Sequence, residues 1–519
     1  MAAQYDFTVT LHDLAFILKQ IKLSESANNA DGSIDGDKLT ALVGDPLLPY
    51  GIRTVDGSWN NLLPGQELFG SADQTMPRLV PLDLEAIRND PTLAQYLLAS
   101  GPNAVVNDAD PRMISNIISD QSTNNPAAVE AAAGLADAPG GGGSVNGSLS
   151  IPNLSPDIGL SPAFNGWMTF FGQFFDHGLD LIPKAGNGIV FIPLMPDDPL
   201  YSTAPGAANF MILTRAKVDA TLNTVNTTTP WIDQNQTYTS HPSHQIFLRE
   251  YTFIDGKPEP TGQLLDGAHG IATWGEVKAH ALQYLGIQLT DADISNVPLL
   301  ATDRYGNLIL SDGGKVQIVT LHGLVEANGG LLPADTLRTG HAFLDDIAHT
   351  AVPKFVTVDG VKILAPDADN VINGTTEAGT YDNELLDRHF ITGDGRGNEN
   401  IGLTAVHSVF HDEHNRLVEQ YKTTLLASGD VGLVNQWLMP GHEITAIPAD
   451  TSTLVWNGEY LFQAGRSPPR CSISTSSLKS LRVPYSLRLT PSSSRTRPIL
   501  TRLFLLSLPT SFTALVTRC

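Results

Sequence analysis

Gly166-Trp-Met-Thr-Phe-Phe-Gly-Gln173-Phe-Phe-Asp176-His177-Gly-Leu-Asp180 is the stretch on which the reading of this chain turns. Phe170, Phe171, Phe174 and Phe175 would wrap an aromatic surface around a helix, so the spacing predicts a helix buried on most sides. Gln173, Asp176 and His177 stand at i, i+3 and i+4, on one face of that helix. A carboxylate and an imidazole among aromatic rings are costly unless paired, so this face requires a polar partner, a metal or a cofactor. The competing reading is a helix whose Asp and His only hydrogen-bond the core.

A second stretch lies far downstream. Thr392-Gly-Asp394-Gly-Arg396-Gly-Asn-Glu399-Asn400 precedes a helix expected over 403–426, with Leu403, Val406, Val409, Phe410 and Leu417 as its apolar stripe. A Gly-rich loop before a helix can present Arg396 and Glu399 at a site, although such loops are common. The helix also carries Glu413-His414-Asn415-Arg416, read here as hydrogen bonding and ion pairing between elements.

The rest of the chain sets limits. Its 519 residues are 42% hydrophobic, enough to bury a core, so wholesale disorder is excluded. A net charge of -23 argues against nucleic acid or an anionic membrane as the main partner. No run of about 18 apolar residues offers a membrane span, and no basic n-region opens the chain. Leu11 to Ile21 has helical spacing. Asp31, Ser33, Asp35 and Gly36 imitate half of a calcium-binding EF-hand loop, but its position 12 is Leu42, so a surface turn is the better reading. Residues 126–147 are Ala/Gly-rich and read as a linker or long loop, and 186–380 read as short helices and loops with few strands.

Taken together, these segments resemble the animal-type haem peroxidase family, whose members include myeloperoxidase and peroxidasin. Residues 172–180 are similar to its distal-histidine helix, and 392–420 to its catalytic-arginine loop with the Glu-His-Asn-Arg helix. Gly51-Ile-Arg53-Thr-Val-Asp56-Gly-Ser-Trp59-Asn-Asn61 is similar to the opening of the catalytic domain, with Trp59 where vertebrate members have cysteine. The large bacterial secreted members look closer still. The resemblance implies a mainly α-helical fold with long loops, an N-terminal extension over 1–44, a peroxidase domain over 45–465, and haem b as cofactor. His177 matches the distal histidine, Gln173 the glutamine beside it and Arg396 the catalytic arginine. Asp176 and Glu399 match the carboxylates that form ester links to haem methyl groups, while Asn400 stands where myeloperoxidase has a haem-bonded methionine. The implied substrates are hydrogen peroxide and a small electron donor: a phenolic, halide or Mn²⁺.

The resemblance further implies calcium. Thr229-Pro-Trp231-Ile-Asp233-Gln-Asn235 looks like the family's Thr-x-aromatic-x-Asp-x-Ser loop, whose oxygen ligands suit Ca²⁺. The family's remaining ligand directly follows the distal histidine, and that position is Gly178 here.

The family also needs a proximal histidine across the iron. After His414 the sole remaining histidine is His442, upstream of the region expected to carry it. The resemblance runs through Trp456 to Arg466 and stops. From Arg466 to Cys519 there are nine Lys/Arg, twelve serines, both cysteines and no Asp or Glu, whereas 1–465 hold 22 basic and 54 acidic residues, a net -32. Bacterial members continue with a segment like Thr-Glu-Met-Gln-Tyr-Gln-His-Leu-Val-Phe. One coding string for it, ACC GAG ATG CAG TAT CAG CAC CTC GTC TTC, read one base later gives the residues found at Pro469 through Ser477. The tail, 466–519, is therefore expected to be an out-of-frame, disordered translation, and the chain a fragment without its proximal half. Two rivals stand beside this reading: a haem fatty-acid dioxygenase of the same superfamily, and a non-catalytic calcium-binding extracellular protein. Residues 1–465, acidic and without cysteine, are consistent with an extracellular setting.

Overall fold

The computed structural model describes, with short interruptions, residues 9–76, 126–134, 167–229, 234–345 and 355–467, with the helix Leu84–Asn89 and strands Val105–Asn107, Ser144–Val145 and Ser148–Leu149. The tail from 468 onward, Trp231, Asp233 and residues 135–143 lie outside the described residues. The Ala/Gly-rich stretch nevertheless opens with a helix, Pro126–Gly134, where alanine's high propensity outweighs the loop reading.

The architecture is mainly helical, and strands form only two- and three-stranded ribbons among the described residues. No described helix is long and apolar enough to cross a membrane. The chain divides into two compact units, one drawn from 1–74, 163–181 and 227–519, the other from 75–162 and 182–226. The smaller unit holds a three-stranded sheet, with Ile189–Pro193 parallel to Val105–Asn107 and antiparallel to Phe210–Thr214.

The larger unit contains both chemistry-bearing segments. Its first helix, Leu11–Ser26, begins with a capping box in which Thr10 and Asp13 satisfy each other's backbone donors. Leu14 and Leu18 share a core with Leu417, Tyr421 and Trp437, so 9–44 belong to this unit rather than extending from it. Asp31 accepts hydrogen bonds from Ser33 and Asp35 caps the helix Gly36–Val43, which is the turn expected there.

A long hairpin, missed in the sequence, organises the opposite side. Arg249–Ile254 pairs antiparallel with Lys257–Leu264 through Asp255 and Gly256, at φ +50° and +77°, the geometry of a two-residue I′ turn. The long helix Ile401–Ala427 lies against it. Asn415 both accepts from the Leu264 amide at 2.8 Å and donates to the Leu264 carbonyl at 3.1 Å. His414 Nε2 donates to Gly262 O at 3.0 Å, leaving Nδ1 to accept from the Tyr238 hydroxyl at 2.9 Å. The last described helix, 458–467, crosses the hairpin so closely that a Cβ on Gly458 would overlap Pro260 O. Arg249 there forms a buried ion pair with Glu459 and stacks 3.8 Å over the Phe462 ring.

Candidate functional site

The phenylalanine-rich segment is a helix, Trp167–His177, packed against the start of the long helix. Phe174 is fully buried, stacking on Phe410 at 4.9 Å and meeting the His407 ring edge-on at 4.9 Å. Phe170 presses so closely on Gly402 that a Cβ there would lie 2.6 Å from its ring. Burial is one-sided, contrary to the sequence expectation: Trp167 is 57% exposed and Asp176 is exposed, because the long helix covers only one flank. Val409 also leaves the expected stripe. It is 63% exposed, since six residues beyond Leu403 a helix has turned far from the buried side.

Around the end of this helix the two distant segments converge. His177 is 5% exposed, with Nε2 3.4 Å from Glu399 Oε2 and Nδ1 3.9 Å from Asp394 Oδ1. Its buried Nδ1 has no hydrogen-bond partner. Gln173 donates to Glu399 Oε2 at 2.8 Å and accepts from Asn400 Nδ2 at 2.7 Å. Asn400 in turn caps the long helix by accepting from Leu403 N at 2.8 Å, which fixes the network to a rigid element.

Arg396 is held from both sides. Its Nε and Nη2 donate to the two oxygens of Asp394 at 2.9 and 2.8 Å, a bidentate pair. Nη2 also donates to the carbonyls of His177 at 2.9 Å and Asp180 at 3.1 Å, placing a cation at the helix C-terminus, where the macrodipole favours it. Among the described residues, Nη1 alone of its side-chain nitrogens takes no part in this clamp.

The electrostatics follow from burial. Desolvation holds His177 below the ordinary imidazole value, and the Arg396 charge adds to this, while Asp394, Glu399 and Asp176 pull the other way. For Asp394 burial pushes upward, but the hydrogen bonds and charge of Arg396 outweigh it and keep the carboxyl below its usual range. Near neutral pH the site thus holds an uncharged imidazole beside an ionised Asp394–Arg396 pair. Such an imidazole can take up and return a proton, and a fixed guanidinium can stabilise developing negative charge.

Of the residues singled out in the sequence, Gln173, His177, Arg396 and Glu399 come together. The Asp176 carboxylate stays at the exposed edge with no hydrogen bond among the described residues. Asp394 was missed as a member of the site; a carboxylate two residues before an arginine in a Gly-rich loop was the available signal. His407 was missed too. It is buried and lines a cavity of about 20 Å³ behind the site with His411, Thr237, Thr392 and Gly393, room for about one water. Burial pushes it down to about 3, so it is uncharged.

These residues fit one face of a haem: an orphaned buried imidazole nitrogen, a guanidinium and two carboxylates. They do not supply a ligand for the other face. His442 is not among the residues gathered here; its Nε2 lies 3.2 Å from Asp255 at the hairpin turn.

Residues 359–467 match the family model for animal haem peroxidase. No curated protein matches the chain. Among solved structures it is similar to peroxidase A from Dictyostelium discoideum, at 15% identity and a TM-score of 0.33, over 82% of this chain and 51% of that one. The chain thus spans about half the length of that peroxidase.

Proposed function

We propose, for a chain whose residues 359–467 match the family model for animal haem peroxidase, a haem-dependent reduction of hydrogen peroxide coupled to one-electron oxidation of a small donor. The observation that carries this reading is His177, buried, uncharged and without a hydrogen-bond partner at Nδ1, beside Glu399 and the Asp394–Arg396 pair. When bound, haem would supply the redox chemistry. His177 would take a proton from one peroxide oxygen and return it to the other, while Arg396 stabilises the charge on the leaving oxygen. Asp176 and Glu399 are the carboxylates that would hold the haem through its methyl groups. Glu399 would have to release Gln173 to do so. The donor is a phenolic, a halide or Mn²⁺, and a bacterial, secreted origin belongs to the same reading, supported by the acidic, cysteine-free composition of 1–465.

The same reading makes the 519-residue chain an impaired fragment. The family match ends at residue 467, and Pro469 through Ser477 are what one coding string for the segment found next in bacterial members gives when read one base later. Haem titration tests it. The chain as given is expected to develop no Soret band and no peroxide-driven guaiacol oxidation, while the product of the gene with its frame restored after codon 467 develops both. A full Soret band and turnover from the 519-residue chain would overturn the impairment, and their absence from the restored protein would overturn the peroxidase reading.

A further inference from the structure

Thr239 holds its φ at +66°, in the left-handed region that a β-branched residue enters only where its surroundings force it. Among the described residues it is the one β-branched side chain that does so. The turn it makes is tied on each side. Gln245 Nε2 donates to Tyr238 O at 2.9 Å, and Ser240 Oγ donates to Thr227 O at 3.2 Å. Thr239 Oγ1 itself lies 2.8 Å from His244 Nδ1. His244 is buried, meets the Phe343 ring edge-on at 5.1 Å, and its Nε2 has no hydrogen-bond partner.

What this turn supports is the arginine loop. A Cβ on Gly393 would stand 2.4 Å from Thr239 N, 2.6 Å from Thr237 C and 2.7 Å from Tyr238 N, so the loop lies directly on the 237–239 backbone and only glycine fits there. On the other side, Gly395 O accepts from Asp345 N at 2.8 Å, two residues beyond Phe343. His244 therefore bears on both supports of the loop, and Asp394, which grips Arg396, stands between the two glycines. Burying an imidazole with one nitrogen unpaired costs stability. Backbone strain likewise gathers where a functional group has to be held in place.

We infer that Thr239 and His244 are positioning residues for Arg396: the hydrogen bond between them keeps the 237–239 turn in its strained form, and that turn sets where the Asp394–Arg396 pair stands beside His177. The inference rests on the reading of Arg396 as the charge-stabilising residue. Its test needs neither haem nor turnover, so its failure and the failure of that reading are seen in different experiments.

Hydrogen exchange of the full chain tests it, read at the amides of 394–397 and at Arg396 Nε–H, with the amides of 414–425 as an internal reference. The bonds being followed run from Arg396 N and Nε to Asp394 Oδ1, both at 2.9 Å, and from Gly397 N to Asp394 O at 3.1 Å. Thr239→Gly accepts a left-handed φ without steric cost but lacks the hydroxyl. It should speed exchange in the loop by about fivefold, the effect of losing one hydrogen bond, and leave the reference helix unchanged. Thr239→Ser keeps the hydroxyl and should exchange at the wild-type rate. His244→Phe keeps a ring against Phe343 but loses Nδ1, and should match the glycine variant. A loop at the wild-type rate in Thr239→Gly, or equal acceleration of the loop and the reference helix, would overturn the inference. The glycine variant decides the matter even if His244→Phe does not fold.

Discussion

Arg396 Nη2 donates to the carbonyl oxygen of His177 at 2.9 Å while the same guanidinium grips Asp394. The residue proposed to stabilise charge in the reaction therefore also ends the helix carrying the histidine proposed to transfer the proton. Arg396→Lys keeps the charge but not the planar fork. It should weaken the helix end by about 1.5–3 kcal/mol, the usual worth of a charged hydrogen bond. Faster amide exchange at 175–181 in the lysine variant is the expected result, and unchanged exchange would mean that the clamp holds nothing.

Asp394→Asn separates charge from shape. The buried guanidinium would lose its counter-charge, which costs about 3–5 kcal/mol. Because Asp394 pulls the His177 value upward, its neutralisation should lower that value further. An NMR titration of the His177 ring in the wild type and the variant checks the sign.

Acid should unfold the larger unit early. His244, His407 and His414 are each pushed down to about 3 by burial. Unfolded histidines take up protons near 6.5, so below that pH the unfolded state binds protons that the folded state excludes, and stability falls as pH falls from about 6.5 toward 3. Each contributes about 1.4 kcal/mol per pH unit in that window. His414→Gln, if it retains the ties to Tyr238 and Gly262, should reduce the slope of unfolding free energy against pH by about one such increment, measured in urea between pH 7 and 5.

Glu459→Gln tests the last described helix. Its carboxylate pairs with buried Arg249, although burial raises its own value above the usual range. Leaving the guanidinium without a counter-charge should cost about 3 kcal/mol, read as a lower urea midpoint with unchanged m-value.

What was legible in the sequence depended on the range of the signal. The Leu11–Ser26 and Ile401–Ala427 helices were visible because apolar periodicity is local. The spacing of Gln173, His177, Arg396 and Glu399 was informative because a helix face and a short loop fix relative positions over a few residues. Asp394 escaped notice although its pairing with Arg396 is local, because the place that pair takes is set only when Arg396 lies against the end of a helix more than 200 residues earlier. The Asp255-Gly256 turn was a local signal that went unread, and the one-sided burial of the phenylalanine-rich helix followed from tertiary contacts that no periodicity encodes.

The tie between His177 and Arg396 spans 219 residues, and that separation governs events on the ribosome. At about 5–20 residues per second, the phenylalanine-rich helix emerges about 10–45 s before the loop that will hold its end. Throughout that interval Phe174 lacks its covering partners Phe410 and His407. Until the loop emerges, the aromatic face of this helix is exposed to other chains, so slow synthesis between the two segments favours association through it.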